Sequence, residues 1–183
     1  MRALPALLFA LLVAAPLLPA SSRADTAPKP PRHSKTAGPQ AIGTFDDWTA
    51  ATNKEAGQTV CYAFTRAHAS SPAVPGRGDV VLTVTERASG RDAVALSAGF
   101  TYAANAAGRL DVDGTGFDLY TAQRSAFARD GHAVAQALGH GKQAVIRTPG
   151  PKGAEVADTF SLRGFAPAYA AIVRHCPPGK GTT

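Results

Sequence analysis

The sequence predicts a mainly β fold, an antiparallel β-sandwich or partial barrel with two short helices, the last one C-terminal. Three observations carry this. Apolar and polar residues alternate through several short runs, the period of a half-buried strand. Turn-forming residues such as Pro75-Gly76-Arg77-Gly78, Ser89-Gly90 and Asp113-Gly114-Thr115-Gly116 separate those runs at short intervals, as sandwiches and barrels require. Only two stretches, residues 130–138 and 167–175, take up a helical period.

Two segments precede the predicted domain. Residues 1–24 have the order of a cleaved secretory signal: Arg2, an apolar run from Leu4 to Leu18, then small residues ending at Ser22-Arg23-Ala24. The run falls short of the roughly 20 apolar residues that cross a bilayer, and Pro5 and Pro16 interrupt it. No later segment is apolar enough to span, so no transmembrane segment is expected after cleavage. Residues 25–43 hold four prolines, three basic residues and Ile42 as their one large aliphatic. Such a stretch cannot bury enough surface to offset its ordering entropy and is expected to be a disordered tether.

The domain itself is expected over residues 44–176. Its first strand is predicted at 45–50, carrying Phe45 and Trp48. The second, at 59–66, sets Val60, Tyr62 and Phe64 on one side and Cys61 on the other. Residues 79–87 alternate Val80, Leu82 and Val84 against Val81, Thr83 and Thr85, and 93–100 repeat the theme. Shorter runs at 109–112 and 117–121 flank a hairpin turn in which Gly114 and Gly116 supply positive φ angles. The last β pieces are 143–147 and 156–162. Asp130 is placed to cap the first helix, which stops at Gly139 and Gly141. Pro167 opens the second, where its missing N–H costs nothing, and Phe165, Tyr169, Ile172 and Val173 fall on one stripe. Pro177-Pro178 follow Cys176 as a stop, and 177–183 are expected to be a frayed tail.

The formal charge of +6 does not indicate a nucleic-acid binder. Residues 44–176 hold 13 Lys or Arg against 12 Asp or Glu, so the excess lies in the flanks. A nucleic-acid surface concentrates that excess on the folded part.

Cys61 and Cys176 are the two cysteines, and in an exported chain an even pair is most simply a disulfide. Two buried thiols or a bridge between molecules are the alternatives. Neither a metal-ligand spacing nor Cys-x-x-Cys is present.

Candidate chemistry is thin. Of the five histidines, His33 lies in the tether, His68 in a loop, His175 beside Cys176, and His132 and His140 are separated by the end of a helix. Zinc needs three or four ligands with some at short spacing, so no metal is expected. Ser97 or Ser161 with His132 and Asp130 would be the components of a hydrolytic triad, but neither serine sits in G-x-S-x-G or a comparable elbow. Ser161 reads as a strand residue facing solvent. Asp111 and Asp113 resemble part of a calcium loop, yet strand pattern resumes at Phe117, where further acidic ligands should stand. Accordingly no catalytic, cofactor-binding or metal residue is assigned, and the chain is expected not to be an enzyme. The aromatic residues Phe45, Trp48, Tyr62, Phe64, Phe100, Phe160, Phe165 and Tyr169 are expected to fill the core rather than line a ligand pocket.

Taken together, Phe45-Asp46-Asp47-Trp48, the cysteine strand Cys61-Tyr62-Ala63-Phe64, the segment Phe160-Ser161-Leu162-Arg163-Gly164-Phe165 and a helix ending in cysteine carry a resemblance. Over roughly residues 45–176 the chain resembles the invasion-associated locus B family of exported bacterial proteins. Thr52 stands in the region where many members have a further cysteine. The resemblance implies a periplasmic, envelope-associated or secreted protein, in a family linked to bacterial entry into host cells, and it brings no catalytic residues. Three readings follow: a non-enzymatic protein acting through its surface on an envelope or host protein, a β-barrel-like carrier of a small apolar ligand, and a cryptic hydrolase. The sequence leaves the oligomeric state open.

Overall fold

A computed structural model describes residues 38–179. The signal segment 1–24, most of the tether and residues 180–183 of the tail lie outside the described residues.

Eleven strands form one antiparallel sheet: β1 (Gln40–Phe45), β2 (Trp48–Glu55), β3 (Gln58–Arg66), β4 (Ala69–Ser71), β5 (Val81–Arg87), β6 (Gly90–Ser97), β7 (Ala107–Val112), β8 (Thr115–Ala122), β9 (Ser125–Ala128), β10 (Gln143–Pro149) and β11 (Glu155–Ser161). Their order across the sheet is β1-β2-β3-β5-β6-β9-β8-β7-β10-β11-β4. The sheet is not closed, and of the sandwich and the partial barrel that the alternation leaves open, one continuous sheet agrees with the partial barrel. Two residues, Ala67 and His68, take the chain from β3, third from one end, to β4 at the other end. The two ends therefore approach each other. Asp47 N–H bonds to Arg163 O at 3.3 Å, and Trp48 Nε1–H to Ser161 O at 3.0 Å.

Two-residue turns make the hairpins, and their chemistry is local. Ala56 and Gly57 join β2 to β3 with φ of 47° and 81°, and Asp113 and Gly114 join β7 to β8 with 48° and 96°. Positive φ at both positions matches the twist of the flanking strands. The second glycine expected to supply positive φ, Gly116, does not. It lies in β8, where a Cβ would stand 2.3 Å from Arg109 Nη2.

The first predicted strand turns out to be the corner of a hairpin. Asp46 takes φ of 48° and breaks residues 45–50 into the end of β1 and the start of β2. β1 begins at Gln40, within the stretch expected as tether, and pairs Gln40 with Thr52. Backbone pairing orders these residues with Ile42 as their only large aliphatic, packed half-buried on the core. Two short strands, β4 and β9, escaped the alternation because three or four residues hold too few periods to register.

The interior is filled by side chains. Trp48, Leu82, Leu96, Leu110, Ile146, Phe160 and Phe165 are all buried. Helix α1 (Gly131–His140) packs on β6 and β9, and α2 (Phe165–His175) packs on β1, β2, β3 and α1. The Asp130 carboxylate accepts from Ala133 N–H as the cap of α1. α2 buries Phe165, Ala168, Ala171 and Ile172. Tyr169 and Val173, expected on its buried stripe, are half-buried at its margin, because the small alanines let the helix approach the sheet on the other side.

A disulfide joins Cys61 of β3 to Cys176 at the end of α2, with Cα atoms 5.9 Å apart and a sequence separation of 115. Arg77 and Asp158 make a second tie between distant segments. Nη1 and Nη2 each donate to one carboxylate oxygen at 2.7 Å. Arg77 Nε–H reaches Ala98 O, Ser70 Oγ–H donates to Asp158, and the guanidinium lies over the Phe100 ring. No helix among the described residues is long and apolar enough to cross a membrane, which leaves β-strand crossing unaddressed.

Candidate functional site

On β3 the buried side chains are Val60, Cys61, Ala63 and Thr65, and beyond Val60 the face opposite Cys61 carries Tyr62 and Phe64, both half-buried. From Cys61 onward the core side is the one opposite to that expected, which removes two aromatics from the predicted core. The disulfide explains it. Cys61 must face α2 to reach Cys176, and the period of two then sends Tyr62 and Phe64 outward.

Cross-strand pairing turns this into a continuous outer row. Thr49 faces Phe64, Phe64 faces Thr83, Thr83 faces Ala95 and Ala95 faces Phe127. Phe127 faces Tyr120, and Tyr120 faces Ala107. Seven consecutive strands thus contribute one residue each. Directly opposed residues share a face and touch. Tyr120 and Phe127 stack with centroids 5.4 Å apart, Tyr62 and Phe64 lie 5.9 Å apart, and the Arg129 guanidinium covers Tyr120. Tyr120 is 43% exposed, more than any other large apolar residue described. A shallow depression of about 440 Å³ between Pro39, Ala51, Tyr62, Phe64 and Val81 continues this surface.

Where the ends of the sheet meet, an open polar cleft of about 660 Å³ is lined by Asp47, Arg66, His68, Lys142 and Ser161 among others. Hydrogen bonds from Ser161 and then Arg163 hold the Asp47 carboxyl below its ordinary range. Ser161 is half-buried and its Oγ accepts from Arg163 N–H at 3.3 Å, so it does not simply face solvent.

The structure does not assemble the residues weighed for catalysis into a triad. His132 Nδ1 lies 2.8 Å from Asp92 Oδ2, and Asp130 is occupied as the helix cap. Ser97 is exposed on β6. Asp111 accepts from Gly114 N–H inside the hairpin turn, and Asp113 accepts from the backbone N–H groups of Lys142 and Gln143. Asp111 holds the turn, and Asp113 ties it to the start of β10.

Asp92 itself was invisible to sequence reasoning. It sits in β6 with φ of 54°, buried, beside the fully buried Glu86 of β5. A lone acid in an alternating run looks like a solvent-facing residue. Here register shifts between Thr85 and Arg87, and this irregularity turns Asp92 inward.

The family model described as "Invasion associated locus B (IalB) protein" matches residues 48–173. Among solved structures, the crystal structure of invasion associated protein B from Bartonella henselae is similar, with a TM-score of 0.54 and 18% identity. That match covers 73% of this chain and 95% of the other. No curated protein matches the sequence.

Proposed function

Because the chain belongs to the invasion associated locus B family, we propose that it is an exported envelope or periplasmic protein that acts without catalysis, by presenting the outer face of its sheet to a protein partner. The observation that carries this is the seven-strand outer row with Phe64, Phe127 and Tyr120. Aromatic side chains together with arginine are the residue types that dominate protein contacts, and here Arg129 stands over the most exposed of them. Export is supported by the composition of residues 1–24 and by an intramolecular disulfide, which persists in oxidising compartments. The carrier reading loses ground because Trp48, Phe160 and Phe165 occupy the interior that a ligand would need.

The test places a photo-activated cross-linking residue at Phe64, at Tyr120 and, as a control, at the exposed Lys152 in cells making the full chain. The expected result is one shared adduct mass from positions 64 and 120 and none from 152. Equal adducts from all three positions, or none, would remove the outer row as the working surface.

A further inference from the structure

We propose that Glu86 and Asp92 form a proton-operated latch fastening the two-helix layer to the sheet, closed while the pair retains one proton and slackened when that proton leaves.

Geometry motivates it. Thr85 pairs with Ala93 and Arg87 with Gly90, so Arg91 and Asp92 together oppose Glu86, and the extra residue bends β6 there. Two carboxyls end up side by side, Glu86 fully buried and Asp92 7% exposed. Glu86 makes its contacts with β6, and Asp92 carries the contacts to the helices. Asp92 N–H donates to Glu86 Oε1 at 3.2 Å. Asp92 Oδ2 meets His132 in the first turn of α1, and Asp92 Oδ1 accepts from Tyr169 O–H on α2. Arg91 Nε stands 2.5 Å from Glu86 Oε2 but without the alignment of a hydrogen bond. Its Nη1 donates to Cys176 O. The start of α1 rests directly on the bend: a Cβ at Gly131 would lie 1.9 Å from Asp92 O. Both helices are thus anchored on one carboxylate.

The charges facing the pair do not balance it when both acids are ionised. Arg91 from β6 is the one guanidinium among the groups acting on them. His132 and Asp130 come from α1, Tyr169 from α2, and β3 offers Cys61 opposite Glu86, which is locked in the disulfide. Two neighbouring buried carboxylates with one full-time cation favour keeping a proton. Burial, then the hydrogen bond with Asp92, push Glu86 up to about 7. Asp92 moves down: burial opposes this, but hydrogen bonds from Tyr169 and His132 to its charged form prevail. The same Asp92 contact raises His132.

The sign is fixed by these directions. A carboxyl whose folded value is raised stabilises the closed form below its free value of about 4.5, and that advantage is lost as pH climbs towards 7. Raised His132 acts in the same sense above its ordinary 6.5. Lowered Asp92 acts oppositely, but only in the acid range below its ordinary 3.8.

Amide exchange on the intact chain, corrected for its intrinsic pH dependence, reads the latch. In the wild type the opening equilibrium of amides in α1 and α2 should rise about tenfold per pH unit between about pH 5 and 7, the factor for one proton, and above that only as far as His132 carries it. Amides in β10 and β11 should stay better protected than those of the helices at every pH, since they exchange only through larger openings. Glu86→Gln keeps the shape and remains neutral, and its helix amides should show no such rise. The latch is overturned by an undiminished rise in Glu86→Gln, or by helix amides that are as well protected as those of β10 and β11 throughout, the sign that the helices open only with the whole domain. Should Glu86→Gln fail to fold, carboxyl ¹³C titration of the wild type decides, and a Glu86 midpoint below pH 5 overturns the proposal.

Discussion

Arg77 grips Asp158 through two parallel hydrogen bonds of 2.7 Å, with side chains only 6% and 0% exposed. The pair connects the loop after β4 to β11 and, through Ala98 O, to the end of β6. Removing one partner strands a buried charge, which costs about 3–5 kcal/mol. Arg77→Ala and Asp158→Ala should each lower the urea midpoint accordingly. Arg77→Lys should also destabilise, since a single ammonium cannot reproduce the fork.

The Cys61–Cys176 bridge closes a loop of 115 residues. Chain entropy sets the ceiling for its contribution at about 4–5 kcal/mol. Urea unfolding of Cys61→Ala/Cys176→Ala should show most of that loss, and a non-reducing gel of the wild type should show a monomer without free thiol.

Two glycines of α1 should respond in opposite directions. At Gly131 there is no space for a methyl against Asp92 O, whereas at Gly139 nothing lies within 4 Å. Gly139→Ala should gain about 0.5–1 kcal/mol from lower unfolded-state entropy and better helix propensity. Gly131→Ala should lose stability, and thermal melts of both variants compare them directly.

Tyr120 separates binding from folding. Losing its cross-strand stack on Phe127 should cost Tyr120→Ser no more than about 1 kcal/mol, the upper worth of such a pair. The same variant should weaken cross-linking from position 64 to the partner. A melt lowered by no more than that, with lost adduct, is the expected combination.

Protein recovered after export should begin at Asp25 or Ser21, as the small residues after the apolar run direct. Intact-mass measurement checks this, and a product retaining Met1 contradicts it.

The strand pattern of β3, β5, β6, β10 and β11 was legible because alternation persists through seven or more residues in each. The bridge was legible from cysteine number and expected compartment. Legibility ended where a single residue sets the phase. Cys61 and Tyr62 are adjacent and both apolar, so alternation alone could not say which faces α2, and the outer aromatic row was hidden with that choice. Asp92 was hidden by the register shift, and Arg77 by its position in a Pro/Gly loop that looks solvent-exposed. The turn residues Asp46 and Gln123 adopt positive φ although neither is glycine, which blurred the first hairpin and β9.

The two-residue passage from β3 to β4 also determines when the molecule can be finished. Among the described residues β4 pairs only with β11, and Ser70 and Asp158 are 88 residues apart in sequence. During synthesis the β4 edge therefore waits, unpaired, until nearly the whole domain has been made. Pairings of such long range are slow to form, and an open edge invites foreign strands in the meantime. β4 is three exposed residues, Ala69–Ser71, followed by Pro72. So short an edge, ended by a residue that cannot donate, offers little for another chain to extend.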